Sequence, residues 1–101
     1  QAEKPIVALF YADWCSACAA QAPAFRRVAR DLQDVATFVA IDTDKNKSLS
    51  NRLEVAKIPV TMIFDGNEPV VAKHNGVMED EQLSDFVLKA VARISSSRVP
   101  E

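Results

Sequence analysis

Apolar residues run without interruption from Pro5 through Ile6, Val7, Ala8, Leu9, Phe10 and Tyr11, and the β-branched and aromatic members of so short a run predict a strand covered on both faces. From Cys18 the period changes. Cys18, Ala22, Phe25, Val28, Ala29 and Leu32 make a helical stripe, with Arg26, Arg27, Arg30 and Asp31 on the opposite side. Pro23 falls inside this helix, removes one backbone hydrogen bond and pushes Ala22 from ideal helical angles, which predicts a kink one turn after Cys18. Ala36-Thr37-Phe38-Val39-Ala40-Ile41 is a second buried-looking strand, and strand, helix, strand at this spacing implies a right-handed crossover to a parallel neighbour.

A polar loop, Asp42 to Lys47, follows. Leu49, Leu53 and Ala56 then predict a short helix that must stop before Pro59, because the proline biases Ile58 to an extended conformation. Val60-Thr61-Met62-Ile63-Phe64 is the third strand, and the turn signal Asp65-Gly66-Asn67-Glu68 joins it to Val70-Val71-Ala72-Lys73 as an antiparallel hairpin, with Gly76 closing the fourth strand. The last helix carries Leu83, Phe86, Val87, Ala90, Val91 and Ile94 on one face. Glu79, Asp80 and Glu81 stand at its start and Lys89 and Arg93 near its end, as the macrodipole favours. The order β-α-β-α-β-β-α reads as an α/β fold: a mixed, mainly parallel four-stranded sheet with helices on both faces.

The chain has 101 residues, 49% of them hydrophobic, enough for one domain with its own core. A single domain over 1–101 is expected, with its core at about 5–94 and a polar, linker-like tail at 95–101. Twelve basic and 14 acidic side chains are interspersed along the chain and give no nucleic-acid or anionic-membrane footprint. No apolar run reaches the roughly 18 residues that cross a bilayer. The start at Gln1 and the polar, linker-like end are compatible with a piece of a longer protein and leave room for a removed signal peptide or membrane anchor.

Both cysteines lie in Trp14-Cys15-Ser16-Ala17-Cys18, at the junction of the first strand and first helix. A structural zinc site needs four ligands, and beyond these two thiols and the distant His74 there are only carboxylates. Haem attachment requires a histidine directly after the second cysteine, where Ala19 stands. Cys18, on the apolar stripe, suits a buried core thiol. Cys15 precedes the stripe, at a helix N-terminus whose free N–H groups and macrodipole favour a thiolate. A thiolate there attacks a disulfide, and a second thiol one turn away resolves the mixed disulfide.

Tyr11-Ala12-Asp13-Trp14-Cys15-Ser16-Ala17-Cys18, followed by Pro23, by Lys57-Ile58-Pro59-Val60-Thr61 and by Asp65-Gly66, resembles the thioredoxin family. The resemblance runs from about Pro5 to Ile94 and implies the thioredoxin fold. It makes Cys15 the attacking thiol and Cys18 the more buried resolving thiol. Trp14 becomes part of the substrate surface, Pro59 a cis proline packed against the pair, and Ile58 a source of backbone hydrogen bonds to an extended substrate. Gly76, with Val77, would lie beside the same groove, although a glycine that only ends a strand explains that position equally well.

The sequence departs from the family in several places. Ser16-Ala17 replaces the glycine and proline typical of cytosolic members, which leaves the redox poise open. Leu9 stands where the family has a buried aspartate that handles the resolving thiol's proton, and Ala40 takes the place assigned to its partner lysine. Water or another carboxylate such as Asp13 is left to move that proton, although Asp13 reads more readily as a solvated loop acid. His74 reads as a solvent-facing residue of an edge strand. The strand and helix that usually precede the first strand are missing.

The resemblance implies a thiol–disulfide oxidoreductase, a protein-disulfide reductase without a bound cofactor, supplied with electrons by a flavoprotein reductase or a membrane electron carrier and acting as a monomer. A disulfide oxidase or isomerase would use the same pair, and a non-catalytic module holding a metal ion or docking a partner is the rival of another class. The wording Tyr-Ala-Asp-Trp-Cys and the tail-like ends point to an extracytoplasmic placement, in the bacterial periplasm or tethered to a membrane, with the cytoplasm as the alternative.

Overall fold

The first strand carries an apolar side chain at every position and lies inside the sheet. In the computed structural model, which describes residues 4–66 and 70–97, β1 (Ile6–Tyr11) stands between β2 (Thr37–Asp42) and β3 (Val60–Phe64), with β4 (Val70–Asn75) beyond β3. Three helices complete the order: α1 (Ser16–Asp31), α2 (Lys47–Arg52) and α3 (Asp80–Ser97). Alternate residues of β1 serve opposite faces. Val7 and Leu9 join Phe25 and Val28 of α1 and Leu83 and Val87 of α3 in one core. Ala8 and Phe10 join Val60 and Met62, covered by Leu49, Leu53 and Val55 around α2, in a second.

The sheet is mixed, with helices on both faces, but it is not mainly parallel. β1 pairs with β2 in parallel, and the β1–β3 and β3–β4 pairings are both antiparallel. α2 is short. Its 6 residues rise only about 9 Å at 1.5 Å each, whereas the 6 residues of β2 span about 20 Å. β3 runs back from the end at which β1 and β2 finish, so the chain does not return to the starting end of the sheet. That reversal puts Pro59, just ahead of β3, at the same end as the cysteines that follow β1.

β2 is an edge strand, as β4 is at the other side of the sheet, and only Asp42 of it is buried, with Thr37 and Ala40 exposed. The expectation of a second buried strand is corrected by this edge position. α1 begins at Ser16, two residues before the apolar stripe, and continues through Pro23 to Asp31. One lost hydrogen bond does not end it, because Cys18, Gln21, Ala24, Phe25 and Val28 are all buried along its inner side. α3 packs Leu83, Val87, Ala90 and Ile94 inward. It continues to Ser97, so the serines expected in a polar tail extend the helix, and residues 98–101 lie outside the described residues. Of the hairpin turn, Asn67 and Glu68 also lie outside them. Gly66 is described and has φ +62°.

Candidate active site

β1 ends at Tyr11, and a tight turn closed by the Cys15 N–H on the Ala12 carbonyl (3.1 Å) delivers Cys15 to the head of α1. Cys15 is the N-cap. Its backbone is extended (φ −94°, ψ 107°), its carbonyl accepts from Ala19 N–H at 3.2 Å, and its Sγ accepts from Cys18 N–H at 3.1 Å. Sulfur thus takes the place that a serine or aspartate oxygen fills in an ordinary cap. Cys15 and Cys18 are joined as a disulfide with their Cα atoms 5.2 Å apart. Cys15 is 8% exposed and Cys18 3%, so the second sulfur is the deeper of the two.

The facing wall comes from the chain before β3. Cys15 Sγ lies 3.7 Å from the Ile58 carbonyl oxygen, and Ile58 and Tyr11 pack against the small cluster of Ala12, Cys15 and Cys18. The Ile58–Pro59 peptide is cis and Pro59 is buried. Gly76 N–H donates to the Pro59 carbonyl at 2.9 Å, which brings the segment after β4 to the same edge. Gly76 has φ +102°, and a Cβ built there would meet no atom within 4 Å, so the backbone angle and not space calls for glycine. Val77, next in the chain, is 43% exposed.

Trp14 is 72% exposed, yet its indole is held: Nε1 donates to Asp44 Oδ2 at 2.9 Å. Asp44 is in turn set by the loop after β2, where its N–H donates to Asp42 Oδ1 (2.9 Å) and Asn46 Nδ2 donates to the Asp42 carbonyl (2.9 Å). Sequence reasoning passed over Asp44 as part of a polar loop. The signal was an Asp-x-Asp directly after the strand that pairs in parallel with the one carrying the cysteines.

Beside Cys18 the structure places no acid in Leu9's position. Leu9 is 3% exposed, and with Ala22, Phe25, Phe38 and Ala40 it lines a groove of about 560 Å³ that also touches both cysteines, Asp13 and Arg26. Asp13 is exposed in the loop before the pair. His74 is half-buried on β4, opposite Thr61, with its ring edge-on to Phe86 at 6.0 Å; packing on α3, not open solvent, is its environment. Among the described residues no group of three or more histidine, cysteine or acidic side chains is placed to hold a metal ion.

Gln21, also missed in the sequence because it sits within an alanine-rich run, is wholly buried one turn beyond Cys18. Its side-chain amide bonds both backbone groups of Met78. Close by, Arg27 of α1 makes a two-pronged contact with Asp80 at the start of α3 (2.6 and 2.8 Å). That hydrogen bond, aided by the opposite charge, holds the Asp80 carboxyl below its ordinary range and raises the Arg27 guanidinium.

Comparison with known proteins bears on the same residues. A family model described as thioredoxin matches residues 1–89. The chain is 36% identical over 91 residues to "Thioredoxin Y, chloroplastic" of rice, covering 90% of this chain and 54% of that protein. It is 34% identical over 84 residues to the thioredoxin of Mycoplasmoides gallisepticum, covering 83% and 82%. Among solved structures, the germline-specific thioredoxin Deadhead of Drosophila melanogaster superposes with a TM-score of 0.78 at 29% identity, covering 85% of this chain and 80% of that one. The chain spans about half the length of the rice relative, and less of several others. The expected extracytoplasmic bacterial placement is corrected by these matches, since the chloroplastic thioredoxins Y of rice and Arabidopsis stand among the relatives. The wording around Trp14 describes one surface loop, and its chemistry does not depend on compartment. Among the described residues no helix is long and apolar enough to cross a membrane.

Proposed function

We propose, for a chain that belongs to the thioredoxin family, that it is a thiol–disulfide oxidoreductase reducing disulfides in proteins by exchange through Cys15 and Cys18. The observation that carries this reading is the Cys15–Cys18 disulfide at the head of α1, with the outer sulfur facing the Ile58 carbonyl and the inner one buried. In the dithiol form, Cys18 N–H and the helix N-terminus favour a thiolate at Cys15. That thiolate attacks one sulfur of a substrate disulfide and expels the other as a thiolate, which takes a proton. Cys18, on losing its own proton, attacks Cys15 Sγ, forms the intramolecular disulfide and releases the second substrate thiol. Two electrons pass from the pair to the substrate, and a dithiol donor restores them.

Trp14 and the backbone of Ile58, Pro59 and Gly76 form the surface on which an extended substrate segment lies. With Leu9 and Ala40 apolar, the Cys18 proton leaves through water in the neighbouring groove or through Asp13. The electron donor is a separate reductase, and the chain works as a monomeric domain.

The test is reduction of insulin by dithiothreitol. Wild type accelerates it, Cys15→Ser abolishes the acceleration, and Cys18→Ser stalls as a mixed disulfide with the substrate. Loss of Cys15 without effect would overturn the reading. Equilibration with glutathione buffers then separates a reductase from an oxidase or isomerase by the potential of the pair, because each 30 mV corresponds to about 1.4 kcal/mol.

A further inference from the structure

We infer that Gln21 is a positioning residue for protein substrates: its buried amide fixes the backbone of Gly76-Val77-Met78 relative to the cysteine pair. The inference rests on the substrate reading above and extends it to a residue outside the groove.

A glutamine side chain wholly removed from water costs several kcal/mol unless both ends of its amide find partners. Here both do, on a single residue. Gln21 Nε2 donates to the Met78 carbonyl at 2.9 Å, and Met78 N–H donates to Gln21 Oε1 at 2.7 Å. Two bonds to the two peptide groups flanking one Cα fix the orientation of that backbone as well as its distance. The other end of the segment is tied to Pro59 by Gly76 N–H at 2.9 Å. Val77, exposed, is suspended between the two ties. Since Gln21 lies one turn beyond Cys18 on the same helix, the spacing between the disulfide and the Val77 backbone is set through α1.

Attachment alone does not need the amide. The Met78 side chain is 1% exposed in the core with Leu83 and Val87, and Arg27–Asp80 joins the same two regions. An apolar side chain at position 21 leaves the segment anchored there but lets its peptide planes turn. A polypeptide that pairs with this backbone requires those planes in place. A small disulfide that meets only Cys15 does not.

The experiment compares wild type, Gln21→Leu and Gln21→Glu in insulin reduction and in the second-order reaction of the reduced pair with 5,5′-dithiobis(2-nitrobenzoate), all on protein shown folded by circular dichroism. Gln21→Leu is expected to raise the insulin KM at least fivefold with kcat and the small-disulfide rate within twofold of wild type. Gln21→Glu adds a pH readout. A protonated carboxyl both accepts from Met78 N–H and donates to its carbonyl, whereas the carboxylate faces that carbonyl with a lone pair. Its KM is therefore expected near wild type at pH 5 and to rise towards pH 8, burial having favoured the neutral form. Should Gln21→Leu not fold, this pH dependence of the KM ratio between Gln21→Glu and wild type decides. An unchanged insulin KM in Gln21→Leu, a parallel fall in both reactions, or a flat ratio for Gln21→Glu overturns the inference. A wild type that reacts with the small disulfide and not with insulin overturns instead the substrate reading on which it rests.

Discussion

Replacing Asp44 by alanine removes the acceptor that holds the indole of Trp14 and leaves the rest of the site untouched. The bond is 2.9 Å long and charge-assisted. A hydrogen bond to a charged group contributes roughly 1.5–3 kcal/mol where water is excluded. Trp14 is 72% exposed, so solvent competes for both partners. The contribution then falls to about 0.5–1 kcal/mol, the range of exposed polar pairs, which is a factor of about 2 to 5 in the population of the held pose. Trp14 is the sole tryptophan of the chain, so its fluorescence anisotropy decay reads that pose directly. Asp44→Ala is expected to add a fast local component to the decay and to raise the insulin KM about 2- to 5-fold. Asp44→Asn, which keeps an acceptor oxygen, is expected to change both less. Asp42→Ala, which removes the Oδ1 that accepts from Asp44 N–H but keeps the carbonyl bonded by Asn46, is expected to shift both in the same direction and by less. An anisotropy decay identical in wild type and Asp44→Ala would refute the reasoning, since the indole would then be held by packing alone.

Thr61 is wholly buried on β3 with no partner for its hydroxyl among the described residues, so Thr61→Val is expected to stabilise by about 1 kcal/mol in urea unfolding; a loss of that size would mean the hydroxyl is bonded. Leu9→Asp puts a carboxyl into the core beside Phe25 and Ile63 and is expected to cost about 3 kcal/mol or more, the loss growing as pH rises because burial favours the protonated form. Equal stability of the variant at pH 4 and pH 8 would count against that. The Asp80 carboxyl titrates below its ordinary range because Arg27 bonds the charged form. The stabilisation is therefore present above the ordinary carboxylate pKa of about 3.9 and lost as pH falls through the folded value. Thermal midpoints of wild type and Asp80→Asn are expected to converge towards pH 2 and separate above pH 4, and parallel curves would show the pair to be inert.

Much of the candidate site was legible in the chain because its parts are local. Cys15 and Cys18 stand one turn apart whatever the rest does, and an apolar strand followed by an amphipathic stripe places them at a helix start. The resemblance supplied what locality does not, the partnership of Ile58 and Pro59 with residues some forty positions earlier. What escaped was side chains whose meaning depends on a distant backbone. Gln21 looked like a filler among alanines, and Asp44 like one more loop acid, until folding brought them to Met78 and Trp14.

By itself the sequence determined the elements, since the spacing of apolar residues dictates which side chains leave water together: period two or continuous for β1 and β3, 3.6 for α1 and α3. It did not determine how the strands associate. The two runs Pro5–Tyr11 and Ala36–Ile41 look equally buried, and only the sheet order makes one central and the other an edge with Ala40 exposed. The tertiary structure also decided the direction of β3, because the connection through α2 suits either direction until Leu49, Leu53 and Val55 pack on Ala8, Phe10, Val60 and Met62. From that one reversal follows the meeting of Pro59, Gly76 and the cysteines, a contact that no local pattern encodes because its free energy comes from groups far apart along the chain.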